Sequence, residues 1–220
     1  KWGDTFFPGT IDALTEDGKH YGVPFAYYPY VIWYNKKMFR EHGWHKPASW
    51  EQFIALCKQI KKEGVAPLAF QGQYPYYLTF VYDALTYYIG GANAWDARQY
   101  LAPGSITAPE SVRAIAMLRD LGTNYFQPGA MGMTHTVAQA QFFLGRTAMV
   151  PCGAWLKSEM KGKIPDDFEL GCFNIPAPQD SKESPTSVRI GVEPFVIFSK
   201  SKHPKAAIDF LRFMTSRKVR

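Results

Sequence analysis

Cysteine is scarce in this 220-residue chain. The three present, Cys57, Cys152 and Cys172, lie far apart and in no C-x-x-C spacing. That excludes a zinc ribbon and a disulfide scaffold and leaves room for one bridge at most. The three read as small buried hydrophobes. Long apolar runs are missing as well, since none reaches the roughly 20 residues that crossing a bilayer takes. The five histidines (His20, His42, His45, His135 and His203) show no H-x-x-x-H or H-E-x-x-H spacing. No metal and no cofactor is expected, and the histidines read as solvated or capping residues. Signatures of catalysis and of nucleotide binding are also absent: there is no G-x-S-x-G, no G-x-x-x-x-G-K-[ST] and no G-x-G-x-x-G. The chain starts at Lys1 without a secretory signal and stops at Arg220 within a helical pattern, so it reads as a segment of a longer protein.

The formal charge of +6 does not describe the body of the chain. Residues 200–220 hold seven basic residues against Asp209, and the rest balances at 18 of each sign. A neutral body with one basic helix lacks the broad basic face that a phosphate backbone requires, which argues against a nucleic-acid partner. A chain of this length buries about 70% of its unfolded surface and needs no staple. What is abundant is aromatic: 16% of the residues, with 13 Tyr and 6 Trp. Tyr and Trp carry a polar group that wants a partner when buried. Such an excess suggests a surface that meets something flat and polar at once.

Between Tyr21 and Tyr34, seven of fourteen residues are aromatic. Val31 to Tyr34 is β-branched and aromatic and reads as a strand, with the extended segment broken at Tyr28-Pro29, where a chain changes partners. Lys36 to Glu41 reads as a short helix ended by Gly43. Ser49 with Gln52 fits a capping box ahead of the helical spacing Trp50, Phe53, Ile54, Cys57 and Ile60. Val65 to Phe70 is a short apolar strand, and Tyr76 to Ile89 is a buried helix. Thr107 with Glu110 suggests a second capping box. A helix over Thr136 to Leu144, strands over Thr147 to Val150 and Phe168 to Phe173, and a loop over Pro176 to Ser187 follow. Val188 to Ser199 reads as one extended segment, and a helix runs from about Pro204 to Met214. This alternation predicts an α/β fold with a substantially parallel sheet.

These residues carry a resemblance. Asp17-Gly18-Lys19, Tyr21-Gly22-Val23-Pro24, Tyr34-Asn35-Lys36, Gly43, Pro47 and Ser49-Trp50-Glu51 follow one another as in extracellular solute-binding proteins of ABC importers. Phe142, Gly145, Ala148-Met149 and Gly153-Ala154-Trp155 extend the match, and the ending from His203 to Ser216 resembles that family's helix after its second crossover. The sequence is similar to the sugar-binding, maltose-binding-protein-like group over essentially the whole chain. The resemblance implies a periplasmic-binding-protein-like fold of two α/β lobes, mostly the second lobe with parts of the first. Residues 1–27 would be a partial first lobe, 28–190 the second lobe and 191–220 a return segment, with crossovers at Ala26 to Tyr30 and Arg189 to Pro194. It further implies a binder and not an enzyme. A small-molecule carbohydrate and membrane permease subunits are its partners, the location is extracytoplasmic (periplasmic or lipoprotein), and the full-length protein is a monomer. An exposed first-lobe edge, with Phe195, Ile197, Phe210 and Phe213 lacking partners, is expected.

A sugar offers C–H faces to rings and a rim of hydroxyls to polar groups. Tyr28 and Tyr30 share one face of the crossover and Tyr27 takes the other; they either meet ligand or pack the lobe cores. Gln73, Tyr74, Tyr76 and Tyr77 surround Pro75 where a helix opens, either as ligand contacts or as the start of a buried helix. The maltose-binding members of the group carry a carboxylate where Tyr74 stands, which argues against a maltodextrin. Trp155 matches the sugar-stacking Trp of the family, or is a core Trp. Glu193 lies on the second crossover as a ligand contact or a solvated carboxylate. Asp83 fits a buried network, and Trp33, Trp44, Trp50 and Phe53 read as core. A glycoside hydrolase, with Glu193 paired to Asp83 or Asp96, is one alternative. A carbohydrate-dependent interaction module is the other.

Overall fold

The computed structural model describes residues 2–7, 9–216 and 218–219. In chain order its elements are the strands β1 (Thr15–Glu16), β2 (Lys19–His20) and β3 (Val23–Asn35), then the helices α1 (Lys36–His42) and α2 (Trp50–Lys62). Next come β4 (Ala66–Leu68), α3 (Leu78–Gly90), α4 (Ala92–Gln99), α5 (Pro109–Tyr125) and α6 (His135–Phe143). The chain ends with β5 (Thr147–Gly153), α7 (Leu156–Glu159), β6 (Leu170–Asn174), β7 (Ile190–Phe195) and α8 (Pro204–Met214). It divides into two compact units, one of Pro29–Arg189 and one of Lys1–Tyr28 with Ile190–Arg220. No helix among the described residues is long and apolar enough to cross a membrane.

In the larger unit the strand order is β4-β5-β3-β6. β4 runs parallel to β5, with Leu68 opposite Met149. β3 runs antiparallel to both of its neighbours, with Tyr30 opposite Gly153 and Val31 opposite Asn174. The expected substantially parallel sheet is therefore corrected. β4, β5 and β6 share a direction, but β3 lies between two of them in reverse, so of the ladders β4–β5, β5–β3 and β3–β6 the first is parallel and the other two are antiparallel. Helix patterning finds helices; it carries no information on which strand returns to the middle.

Local chemistry explains most of the helix ends. The Asn35 side chain accepts the Met38 N–H at 3.1 Å, and Gly43 ends α1 in the left-handed region at φ 67°. Ser49 accepts the Gln52 N–H as expected, while the Gln52 side chain reaches one residue past the cap to accept the Ala48 N–H at 2.8 Å. Trp50, Phe53, Leu56, Cys57 and Ile60 then form the buried stripe. The cap expected at Thr107 is not made. α5 starts at Pro109 with Ala108 before it and no side-chain cap, and the Thr107 hydroxyl donates to the Gly104 carbonyl. A proline is preset for the first helical position and needs no donor there, so it moves the start one residue on and puts Ala108 at the cap position.

Two apolar clusters form the core of this unit. Ile32 and Tyr34 of β3 join Phe53, Leu85, Leu121 and Ala148 in one, while Trp33 packs against Phe142, Val150 and Leu156 in the other. The division follows the period of two along a strand. Trp44, Trp50 and Phe53 are core residues, as their spacing suggested, and Trp33 is half-buried with its indole N–H on the Gly153 carbonyl.

The smaller unit contains the β1–β2 hairpin, turned by Asp17 and Gly18, both at positive φ. This is the geometry of a two-residue turn matched to strand twist. β7 pairs with β3, and the Phe25 and Phe195 rings meet at 4.5 Å. Phe195 is thus partnered, contrary to expectation, by the ring of Phe25. Phe210 and Phe213 of α8 are exposed. β3 is continuous through Pro24 and Pro29, so the predicted break at Tyr28-Pro29 is instead a point where one strand passes from one unit to the other.

All three cysteines are free; Cys57 and Cys152 are buried but Cys172 on β6 is exposed, which corrects the uniform reading. Burial pushes the thiol of Cys57 up, and that of Cys152 to about 12. Titration of the native protein with a thiol reagent should label Cys172 at once and the other two only on unfolding. Equally fast labelling of all three in the native state would contradict this packing.

A candidate aromatic binding site

The parallel β4 and β5 end at the same edge of the sheet, and reversal brings the start of the Pro29–Asn35 segment to that edge too. Open α/β sheets place ligands outside the carboxyl ends of their strands. Four pieces of chain converge here: Tyr30 from β3, the loop and short 3-10 helix Pro75–Tyr77 after β4, the first turn of α3, and the turn after β5. At that turn the Ala154 N–H donates to the Pro29 carbonyl at 3.1 Å. Gly153 has no room for a side chain, because a Cβ there would lie 2.0 Å from the Trp155 ring. The glycine lets the indole fold back over its own strand.

The rings make a continuous wall. Tyr30 lies 3.7 Å from Phe80, centroid to centroid, and meets Trp155 edge-on at 5.4 Å. Tyr77 is 5.2 Å from Phe80, Tyr76 is 4.7 Å from Tyr77, and Tyr74 meets Tyr76 at 6.3 Å. Edge-to-face and offset contacts of this kind favour rings beyond their buried area. Phe80 and Tyr77 are buried, Tyr30 and Trp155 half-buried, and Tyr74 and Tyr76 exposed at 43% and 55%. The inner rings hold the outer ones, and the outer ones keep faces for something else.

Two polar clusters flank the rings. On one side the Tyr77 hydroxyl is 3.2 Å from His135 Nε2, which is 2.5 Å from Glu159 Oε2. Gln139 donates to the same Glu159 oxygen at 2.9 Å. Burial pushes the Tyr77 hydroxyl up, so it stays protonated. On the other side Asp83 is ion-paired with Arg98, and with Arg189 at 3.2 Å. Burial raises the Asp83 carboxyl against the pull of both guanidinium groups. Asp83 is therefore the buried network residue that its place in an apolar helix suggested.

Of the residues picked out in the sequence, Tyr30, Tyr74, Tyr76, Tyr77 and Trp155 come together in this wall. Gln73 sits on the same loop and donates to the Gly132 carbonyl at 3.1 Å. Tyr28 and Glu193 belong to the smaller unit, where the Tyr28 hydroxyl donates to Glu193 Oε2 at 2.9 Å. Tyr27 there meets the Phe7 ring edge-on at 5.2 Å. Phe80, Arg189, His135, Gln139 and Glu159 were missed. Phe80 was within reach, since it follows Tyr76 by four residues and shares its helix face. His135 is neither solvated nor capping, which corrects the default reading of it. Its partners Tyr77 and Glu159 are 58 and 24 residues away, and no local signal joins them. No group of three metal-ligating side chains occurs among the described residues.

The chain belongs to the bacterial extracellular solute-binding protein family, whose pattern matches residues 1–220. It is 28% identical to the diacetylchitobiose binding protein NgcE of Streptomyces coelicolor over all of this chain and 48% of that one. It is 30% identical to the multiple sugar-binding protein of Streptococcus mutans, over 90% of this chain and 48% of the relative. Among solved structures it resembles a chitin oligosaccharide binding protein, with a TM-score of 0.81 and 25% identity over 99% of this chain and 55% of that one. It also resembles RafE of Streptococcus pneumoniae in complex with raffinose, with a TM-score of 0.77 and 26% identity over all of this chain and 58% of the other. The chain spans about half the length of the curated relatives it matches. The periplasmic-binding-protein-like α/β fold expected from the sequence is the fold found.

Gly153→Ala should cost about 1–3 kcal/mol by overpacking the Trp155 ring. In a Trp155→Ala background the same change should cost much less, because the clash has gone. Urea midpoints of the four proteins measure this, and equal costs in both backgrounds would show that the indole does not lie over Gly153.

Proposed function

We propose that the whole protein binds a carbohydrate and delivers it to the membrane permease of an ABC importer. The observation that carries this reading is the aromatic wall at the carboxyl edge of the sheet. Exposed Tyr74 and Tyr76 and half-exposed Trp155 offer ring faces, and polar groups flank them. Rings bury the C–H faces of a sugar, and side-chain donors and acceptors take its hydroxyls. Relatives described as binding diacetylchitobiose, multiple sugars and raffinose support the same ligand class.

In this reading residues 28–190 are the second lobe, and residues 1–27 and 191–220 are parts of the first. Tyr28 and Glu193, on the first and second crossovers and bonded to one another, are further ligand contacts. The protein acts outside the cytoplasm, as a monomer, with no nucleic-acid partner. It is not an enzyme. Glycoside hydrolysis needs one carboxylic acid and one free carboxylate flanking the bond, whereas Asp83 is held by two arginines and Glu159 by His135 and Gln139. Among the described residues, neither of these two carboxylates beside the rings is free for that role.

Calorimetric titration of the full-length protein with diacetylchitobiose, raffinose, galactose and xylo-oligosaccharides tests the reading. At least one should bind and be recovered unchanged. Trp155→Ala and Tyr76→Ala should each weaken it several-fold, about 1 kcal/mol or more beyond lost area. Tyr100→Ala, exposed at 84%, should not. Release of hydrolysis products, or parental affinity in both wall variants, would overturn the proposal.

A further inference from the structure

Asp83 is buried, and each of its oxygens belongs to a different arginine: Oδ1 to Arg98 Nη2 and Oδ2 to Arg189 Nη2. One carboxylate balances one guanidinium, so the cluster holds one positive charge in excess. Neither arginine has another ion pair among the described residues. The two are not equivalent. Arg98 lies over Tyr82 at 4.9 Å, and its side chain is 13% exposed. Arg189 lies on the wall itself, its guanidinium carbon 4.4 Å from the Tyr30 ring centre and 5.3 Å from that of Phe80, and it keeps 22% exposure.

The Arg189 guanidinium lies over those rings and is tied to Asp83, yet little of its donor capacity is used. Nη2 bonds Asp83. Nε is buried with no partner, and Nη1 makes no hydrogen bond among the described residues. An arginine offers five N–H donors in a fixed fork. A fork pinned on an aromatic wall, with unused donors and an unbalanced charge, is suited to an oxygen acceptor on a ligand lying against the neighbouring rings.

We propose that Arg189 is a ligand-binding and specificity-determining residue of the wall. Its free amino group donates to an acceptor oxygen of the sugar, a hydroxyl or an acetamido carbonyl, while the sugar face lies on Tyr76 or Trp155. Asp83 is then a positioning residue that fixes the fork, and Tyr30 is the platform for the guanidinium and not for the sugar. This rests on the carbohydrate reading above.

The test is calorimetric titration of the full-length parent, Arg189→Gln and Arg189→Lys with diacetylchitobiose, raffinose and galactose, beside thermal melting of each. For a sugar that the parent binds, Arg189→Gln should weaken binding at least about tenfold, the loss of a charge-assisted hydrogen bond. Arg189→Lys keeps the charge and the reach to Asp83 but lacks the second donor edge. It should melt near the parent, weaken binding several-fold and change the order of preference among the sugars. Should Arg189→Gln fail to fold, Arg189→Lys decides alone. Parental affinity and preference in Arg189→Lys would overturn the role of Arg189 and leave the carbohydrate reading standing. A uniform loss that only tracks lower stability would make Arg189 structural and overturn it equally. A parent that binds none of the sugars would overturn both.

Discussion

The site depends on one ladder, the antiparallel pairing of β3 with β5. Tyr30 lies opposite Gly153, so the start of the Pro29–Asn35 segment and the end of β5 occupy one edge of the sheet. Had β3 run parallel to β5, Tyr30 would stand at the opposite edge, a full strand length from Trp155. Reversal of a single strand thus turns Tyr30 and Trp155, 125 positions apart in sequence, into neighbours with ring centres 5.4 Å apart. The parallel β4–β5 pair adds the third side, because the loop after β4 leaves at the same edge.

Rings brought together this way need anchoring, and the two flanking clusters supply it. Tyr77 hangs from His135, which is tied to Glu159 on the short helix that follows Trp155. Arg189 rests on Tyr30 and Phe80 and is tied to Asp83, three residues beyond Phe80 on α3. Each polar group reaches over a ring to a charge behind it. Buried polar networks are costly unless satisfied, and these keep unused capacity: Arg98 Nε, Arg189 Nε, His135 Nδ1 and Gln139 Oε1 are buried without a partner. The wall thus combines anchored inner rings with exposed outer ones.

How much of this the sequence showed depends on range. Caps and stripes within one helix were legible, as at Ser49-Gln52 and along Trp50 to Ile60, because their partners lie three or four residues apart. Thr107 misled because Pro109, two residues on, competes for the same helix start. Cys172 misled because a short apolar strand says which residues alternate but not which face is covered. The rings of the wall other than Phe80 were picked out from composition and from the order of motifs. Asp83 was read as part of a buried network, but its partner Arg189, 106 residues away, had no local signal.

The sequence by itself determined the α/β class, the positions of the longer helices though not of α4 or α7, the aromatic excess and the family pattern, all of which are set by neighbours along the chain. Only the tertiary structure decided the strand order, the burial of each cysteine, the pairing of Phe195 with Phe25, and which tyrosines keep an open face. Those are outcomes of contact between segments distant in sequence. Strand direction decides them, because it fixes at once which edge a residue reaches and what it finds there.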